Sequence, residues 1–168
     1  MKKFIFVLSL FAAHSAMAND LYAGLSSTQS RLDSRLDVPV DTDMRGHGLR
    51  VHVGHQMHPG LAVEASYGET RGMSVGREKL ESSETTLSMV ARMPVSRSLG
   101  IHGKLGLAYT ELGSPSLKGR AIDLVYGAGA EYRFTPKVSL VGEVEQFRNY
   151  AGSDEAVNQA NVGLRYRF

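Results

Sequence analysis

The chain has 168 residues with 18 Gly, 7 Tyr, 6 Phe, no Trp and no Cys, which is roughly one domain's worth of sequence. Setting aside the first 18 residues, which contain Lys2 and Lys3 and no acid, lowers the 19 basic residues by two, to 17, against 17 acidic ones. A chain without basic excess lacks the cationic face that nucleic-acid binding needs. Without cysteine there is no disulfide scaffold, no Cys-ligated zinc or iron–sulfur site and no thiol nucleophile.

The first segment reads as a leader. Met1-Lys2-Lys3 is positive, Phe4 to Ala13 is a ten-residue apolar run, and Ala16-Met17-Ala18 has the small-x-small form of a signal-peptidase site. A spanning helix needs about 20 apolar residues, whereas His14 interrupts this run at half that length. The expectation is a cleaved signal over 1–18, export from the cytoplasm, and a mature domain over 19–168.

From there the chain alternates with period two. Leu21–Ser26, Leu49–His55, Leu61–Tyr67, Leu87–Met93, Leu99–Tyr109, Ile122–Phe134, Val138–Glu145 and Ala160–Phe168 each place apolar residues on one face and polar or glycine residues on the other. Eight strands of about 10 residues use roughly half of the mature chain and leave room for loops. A soluble sandwich shows the same alternation, so other features must separate the two.

One is charge on the polar face. Arg50, Glu64, Arg92, Lys104, Asp123, Glu131, Arg133, Glu143, Glu145, Arg165 and Arg167 all fall there. If the apolar face meets lipid, these groups lie inside, nearly balanced, and can pair in low dielectric. A second is loop length, which alternates. Connections to about Arg45, from Thr70 to about Ser83, from Glu111 to Arg120 and from Arg148 to about Ala156 are long. Met57–Gly60, Pro94–Ser98 and Thr135–Lys137 are short. Outer-membrane barrels sort their connections in this way. The last strand places Val162, Leu164, Tyr166 and Phe168 on one face, with Phe168 as its final residue. Tyr132, Phe134, Tyr166 and Phe168 fall at the short-turn end, and Tyr67, Tyr109 and Tyr126 near the loop end, as two interfacial girdles. The sequence predicts an all-β, eight-stranded, antiparallel, up-and-down transmembrane barrel.

Two segments carry a resemblance. Tyr132-Arg133-Phe134-Thr135-Pro136-Lys137-Val138-Ser139-Leu140-Val141-Gly142-Glu143 is similar to the aromatic–turn–strand segment of the small OmpA-like and OmpX/Ail-like outer-membrane barrels. Val162-Gly163-Leu164-Arg165-Tyr166-Arg167-Phe168 resembles their C-terminal signal, which the barrel-assembly machinery recognises. The resemblance covers essentially the whole mature chain and implies the outer membrane of a Gram-negative bacterium, among lipid and lipopolysaccharide. The chain departs from full-length OmpA in having no C-terminal periplasmic domain. Accessory colonisation factors of enteric bacteria are similar small barrels, which points toward adhesion.

Three functions compete for such a scaffold. An eight-stranded barrel is about wide enough for its own side chains, which favours a packed lumen over a pore. Lipid A-modifying barrels, by resemblance, use His with Ser and an acid, but His47, His52, His55, His58 and His102 show no His-x-Ser pattern. His55 and His58 sit beside a turn at a spacing that also suits solvated histidines. No cofactor or metal is expected. The loops remain. Arg31, Asp33, Arg35 and Asp37 form a tandem Arg-Leu-Asp, and Arg77 and Lys79 lie among Glu69, Glu78, Glu81 and Glu84. These mixed-charge stretches, without a run of one sign, are the candidates for contact with a host or surface ligand. The reading is a non-enzymatic barrel with an envelope or adhesive role, with a lipid A-modifying enzyme or a narrow pore as alternatives.

Overall fold

A strand with one apolar and one polar face must choose which to show its surroundings, and this chain turns the apolar face outward. The computed structural model describes residues 20–32, 45–75, 78–113, 118–148 and 156–168. The expected leader and the loop positions Asp33, Arg35, Asp37 and Arg77 lie outside the described residues. Eight strands follow in order: β1 (Leu21–Leu32), β2 (Arg45–His58), β3 (Leu61–Val75), β4 (Glu78–Pro94), β5 (Leu99–Gly113), β6 (Lys118–Arg133), β7 (Val138–Phe147) and β8 (Val157–Arg167). Each pairs antiparallel with the next, and β8 pairs with β1 to close the barrel. Closure leaves no unpaired edge, so backbone donors and acceptors are satisfied between strands, as a lipid environment requires.

The outward row is apolar on every strand. Leu25, Leu49, Leu87, Met89, Leu105, Leu107, Ile122, Leu124, Val144, Val162 and Leu164 are all exposed. Such a continuous belt is an aggregation surface in water and a solvation surface in hydrocarbon. Tyr132 packs edge-on against Phe134, with ring centroids 5.3 Å apart, and Tyr166 against Phe168 at 5.2 Å. Both pairs lie at the short-turn end, and the outward Tyr67, Tyr109 and Tyr126 lie toward the other end. Tyr22 is the exception among the described tyrosines, since it points inward and is buried.

The short turns are built by side-chain caps. Ser96 Oγ accepts the backbone N–H of Leu99 at 3.0 Å, and Thr135 Oγ1 accepts that of Val138 at 3.0 Å. Both hydroxyls hold the first residue of the following strand, and the two connections use the same local geometry.

The opposite end corrects the sequence reading. Residues 70–83 and 111–120 are not simple loops, because β3 runs to Val75, β4 starts at Glu78, β5 ends at Gly113 and β6 starts at Lys118. Strands of 15 to 17 residues exceed the 9–11 that cross a hydrocarbon layer, so their outer turns stand clear of it. Beyond lipid both faces are wet, and the alternation that marks a strand in the sequence disappears while its hydrogen-bond ladder continues. Arg31 thereby belongs to β1, opposite Arg45 and Asn158, and Lys79 to β4, opposite Ser74. Where the β3–β4 register shifts between Thr70 and Met73, Gly72 takes a φ of 91°, which a residue without Cβ adopts readily.

Glycine has a second use on the inner face. A Cβ on Gly106 would lie 2.3 Å from the Leu87 carbonyl oxygen, so β4 and β5 approach there only because position 106 has no side chain.

The face assignment gives a direct stability test. Leu105→Arg places a charge mid-strand on the lipid side and should cost about 2–4 kcal/mol in equilibrium denaturant unfolding of the membrane-reconstituted protein.

Candidate functional site

The lumen is where the inward polar residues meet, and it is filled. At its centre the Arg50 guanidinium, 1% exposed, is hydrogen-bonded by both Glu84 and Glu145 and donates to Gln159 Oε1 at 2.6 Å. Gln159 Nε2 in turn donates to Glu84 Oε2 at 2.7 Å. Glu145 also faces Lys104, whose Nζ lies 3.0 Å from Glu145 Oε1, 2.8 Å from Glu64 Oε1 and 3.1 Å from Glu143 Oε2. Glu64 passes the contact to Arg165 at 3.3 Å, Arg165 to Glu131 at 2.8 Å, and Glu131 to Arg167 at 3.6 Å.

The result is one chain of alternating sign: Glu84, Arg50, Glu145, Lys104, Glu64, Arg165, Glu131, Arg167. Glu143 braces it between Arg50 and Lys104, with His102 Nε2 3.3 Å away. Neutral groups take up spare lone pairs. The Tyr22 hydroxyl donates to Glu64 at 2.9 Å, Ser139 to Glu131 at 2.8 Å, and Asn161 Nδ2 to Glu145 at 3.1 Å. Buried ions need this degree of satisfaction, because desolvation otherwise outweighs their attraction. Arg92 and Arg165 lie 4.3 and 4.7 Å from the centroid of the Tyr22 ring, as cation–π contacts.

Three of the eleven predicted interior charges stand apart from the chain. Asp123 is buried but has no basic group within ion-pair distance among the described residues; Thr110 Oγ1 donates to its Oδ2 at 2.9 Å. Ala108, the register partner of Asp123 on β5, belongs to an apolar cluster with Val125, Phe147 and Val157. Arg92 bonds to Gln56 Oε1 at 2.5 Å instead of to a carboxylate. Arg133 is half-buried at the short-turn mouth, with no acidic partner at ion-pair distance among the described residues.

The sequence reading also left out one member. The sequence sets Glu84 among the loop charges, and the structure puts it inside β4 at 1% exposure, against Arg50. Its neighbours Ser82, Ser83, Thr85 and Thr86 give no apolar alternation, so nothing local marks it as inward. Counting in phase back from Val90 would have found it. Tyr22, Gln159 and Asn161 were missed because neutral polar side chains carry no pairing signal in sequence.

Outside, the row Val162, Leu164 and Tyr166 on β8, continued by Phe168 just past its end, is exposed. Above the tyrosines, β3 to β6 present outward charges in short-range pairs. Arg71 Nη2 lies 3.5 Å from Glu69, and Arg120 Nε lies 3.3 Å from Glu111. Tyr67 and Tyr109 donate to these same glutamates at 2.9 and 3.1 Å.

The family model described as the outer membrane protein beta-barrel domain matches residues 4–168. No curated protein sequence matches the chain. Among solved structures it is similar to Neisserial surface protein A, at 15% identity over 88% of this chain and 97% of that one, with a TM-score of 0.69. It is also similar to Ail, the attachment invasion locus protein of Yersinia pestis, at 19% identity over 90% and 100%, with a TM-score of 0.62. The N-terminal barrel of Pseudomonas aeruginosa OprF matches at 16% identity over 88% and 97%, also at 0.62. Ail has been solved in complex with the heparin analogue sucrose octasulfate.

The ion chain predicts an asymmetry between its members. Arg50→Met leaves Glu84 and Glu145 facing each other in a dry interior and should cost about 3–5 kcal/mol. Glu84→Gln leaves Arg50 its bond to Glu145 and should cost clearly less, both read by urea unfolding in micelles.

Proposed function

The chain belongs to the outer membrane protein beta-barrel domain family, and from that premise we propose a non-enzymatic surface protein with a sealed lumen. Its working part is the set of strand extensions and connections beyond the tyrosine girdle. The observation that supports this reading is the division of labour between the two polar regions. At the centre of the lumen, charges are consumed by one another among the described residues, and an eight-stranded barrel is about wide enough for these side chains alone. Outside, β3–β6 carry charged residues well beyond the length that crosses lipid.

Adhesion is the contact we assign to that surface. Loops on a rigid scaffold are where binding concentrates, and Ail, named for attachment and invasion, shares the fold. The partner differs from a simple polyanion. Arg71 and Arg120 are each held beside a glutamate, so the outer face offers both signs at short range and suits a protein surface of mixed charge. To the same contact we assign Arg31 near the end of β1 and Lys79 in β4, together with Asp33, Arg35, Asp37 and Arg77 outside the described residues. Lipid and lipopolysaccharide surround the barrel wall. The β8 row of Val162, Leu164, Tyr166 and Phe168 is the segment we assign to recognition by the barrel-assembly machinery, after a signal over 1–18 has directed export.

Shortening the β1–β2 connection and the β3–β4 hairpin together should reduce binding of expressing cells to host matrix proteins at least severalfold. The folded barrel's heat-dependent shift in electrophoresis should be retained. Unchanged binding would remove adhesion from the reading. In planar bilayers the protein should give no stable single-channel openings, and reproducible steps of conductance would instead favour a pore.

A further inference from the structure

Among the described residues, the inward charges nearest the loop end are Glu84 and Asp123, and those at the short-turn end are Arg92, Arg133 and Arg167 around Glu131. Those three arginines share one cavity of about 360 Å³ at the turn-end mouth, whose other polar lining includes Gln56, Glu131 and the rim residue Asp20. Glu131 is the inward acid at this level, and it is already engaged by Arg165, Arg167 and Ser139. Arg133 has no carboxylate at ion-pair distance among the described residues. Arg92 is held in place by Tyr22 and Gln56, yet its Nε and Nη2 are shielded from water and have no hydrogen-bond acceptor.

Three guanidinium groups lining one cavity repel one another unless an anion offsets them, and their arrangement is informative. Guanidinium forks match the paired oxygens of phosphate, and several forks around one space suit a tetrahedral oxyanion that offers acceptors in several directions. The mouth opens beside the Tyr132–Phe134 and Tyr166–Phe168 pairs, at the level where aromatic girdles meet lipid headgroups. We propose that this mouth is a binding site for a phosphate-type oxyanion, held by Arg133 and Arg167 beside the positive charge of Arg92. The phosphate is supplied either by a headgroup of the adjoining leaflet or as a free ion, and the chemistry of recognition is the same.

The test uses the whole chain folded in octyl glucoside micelles, which carry no phosphate, titrated calorimetrically with inorganic phosphate against sodium chloride of equal ionic strength. Saturable binding is expected with phosphate alone. It should weaken at least tenfold in Arg133→Gln and in Arg92→Gln, each checked for the heat-dependent electrophoretic shift of a closed barrel. Arg133 has no ion pair to lose, so its variant keeps the experiment decisive if Arg92→Gln does not fold. Repeating the titration in phosphatidylglycerol nanodiscs identifies the source. A lost isotherm there assigns the site to the lipid headgroup, and a retained one assigns it to free phosphate. Absence of saturable binding in micelles, or unchanged binding in folded Arg133→Gln, overturns the proposal.

Discussion

Pairing of buried charge in the lumen is the constraint on which the rest of this structure depends. A barrel with its apolar surface outside cannot draw its internal cohesion from hydrophobic collapse of a large core. Among the described residues the buried apolar groups are two small clusters, one around Phe147 and one of Tyr22, Ala62 and Val90, with Val141 apart from both. What occupies the space between them is the alternating chain from Glu84 to Arg167. Every strand contributes to it or touches it: Tyr22 from β1, Arg50 from β2, Glu64 from β3, Glu84 from β4, Lys104 from β5, Glu131 from β6, Glu145 from β7 and Arg165 from β8. The glycines of the inner face are the counterpart of these long side chains, since a filled lumen requires short residues opposite bulky ones.

The fold was legible because lipid imposes a strict rule on each strand. Leu105 and Leu107 against Lys104 and Gly106 can be sorted to two faces by counting alone. The rule lapses where lipid ends, and the reading lapsed at the same places. Residues 70–83 carry no alternation, so the sequence alone cuts β3 and β4 short and leaves Glu84 among surface charges. The interior was legible as a list of charged residues and illegible as a set of pairs. Period two says that Arg50 faces inward. It does not say that a carboxylate from β4 and another from β7 will meet it, because that depends on the stagger of the closed sheet. Asp123, Arg92 and Arg133 look the same as Arg50 in sequence, and only the closed geometry separates them from the chain.

The same separation divides durability from recognition. The lumen residues are committed to each other, and a change there is felt as stability. The strand extensions above the tyrosines are free of that duty. Arg71, Glu69, Arg120 and Glu111 pair in water, where such contacts are worth little, so they can be exchanged at small cost to the fold. This is the arrangement of a scaffold whose outer surface can change while its wall is conserved in kind.

The sequence separation of the central partners has a consequence for biogenesis. Arg50 meets Glu84 at a distance of 34 residues, Glu145 at 95 and Gln159 at 109. A hairpin of β2 and β3 released by itself into a bilayer would expose Arg50 and Glu64 to the acyl chains with none of their eventual neighbours in place. Stepwise insertion of hairpins is therefore disfavoured, and the sheet must be largely curled before its charged side loses contact with water. Pairing across the lumen thus favours entry into the membrane as a nearly finished ring.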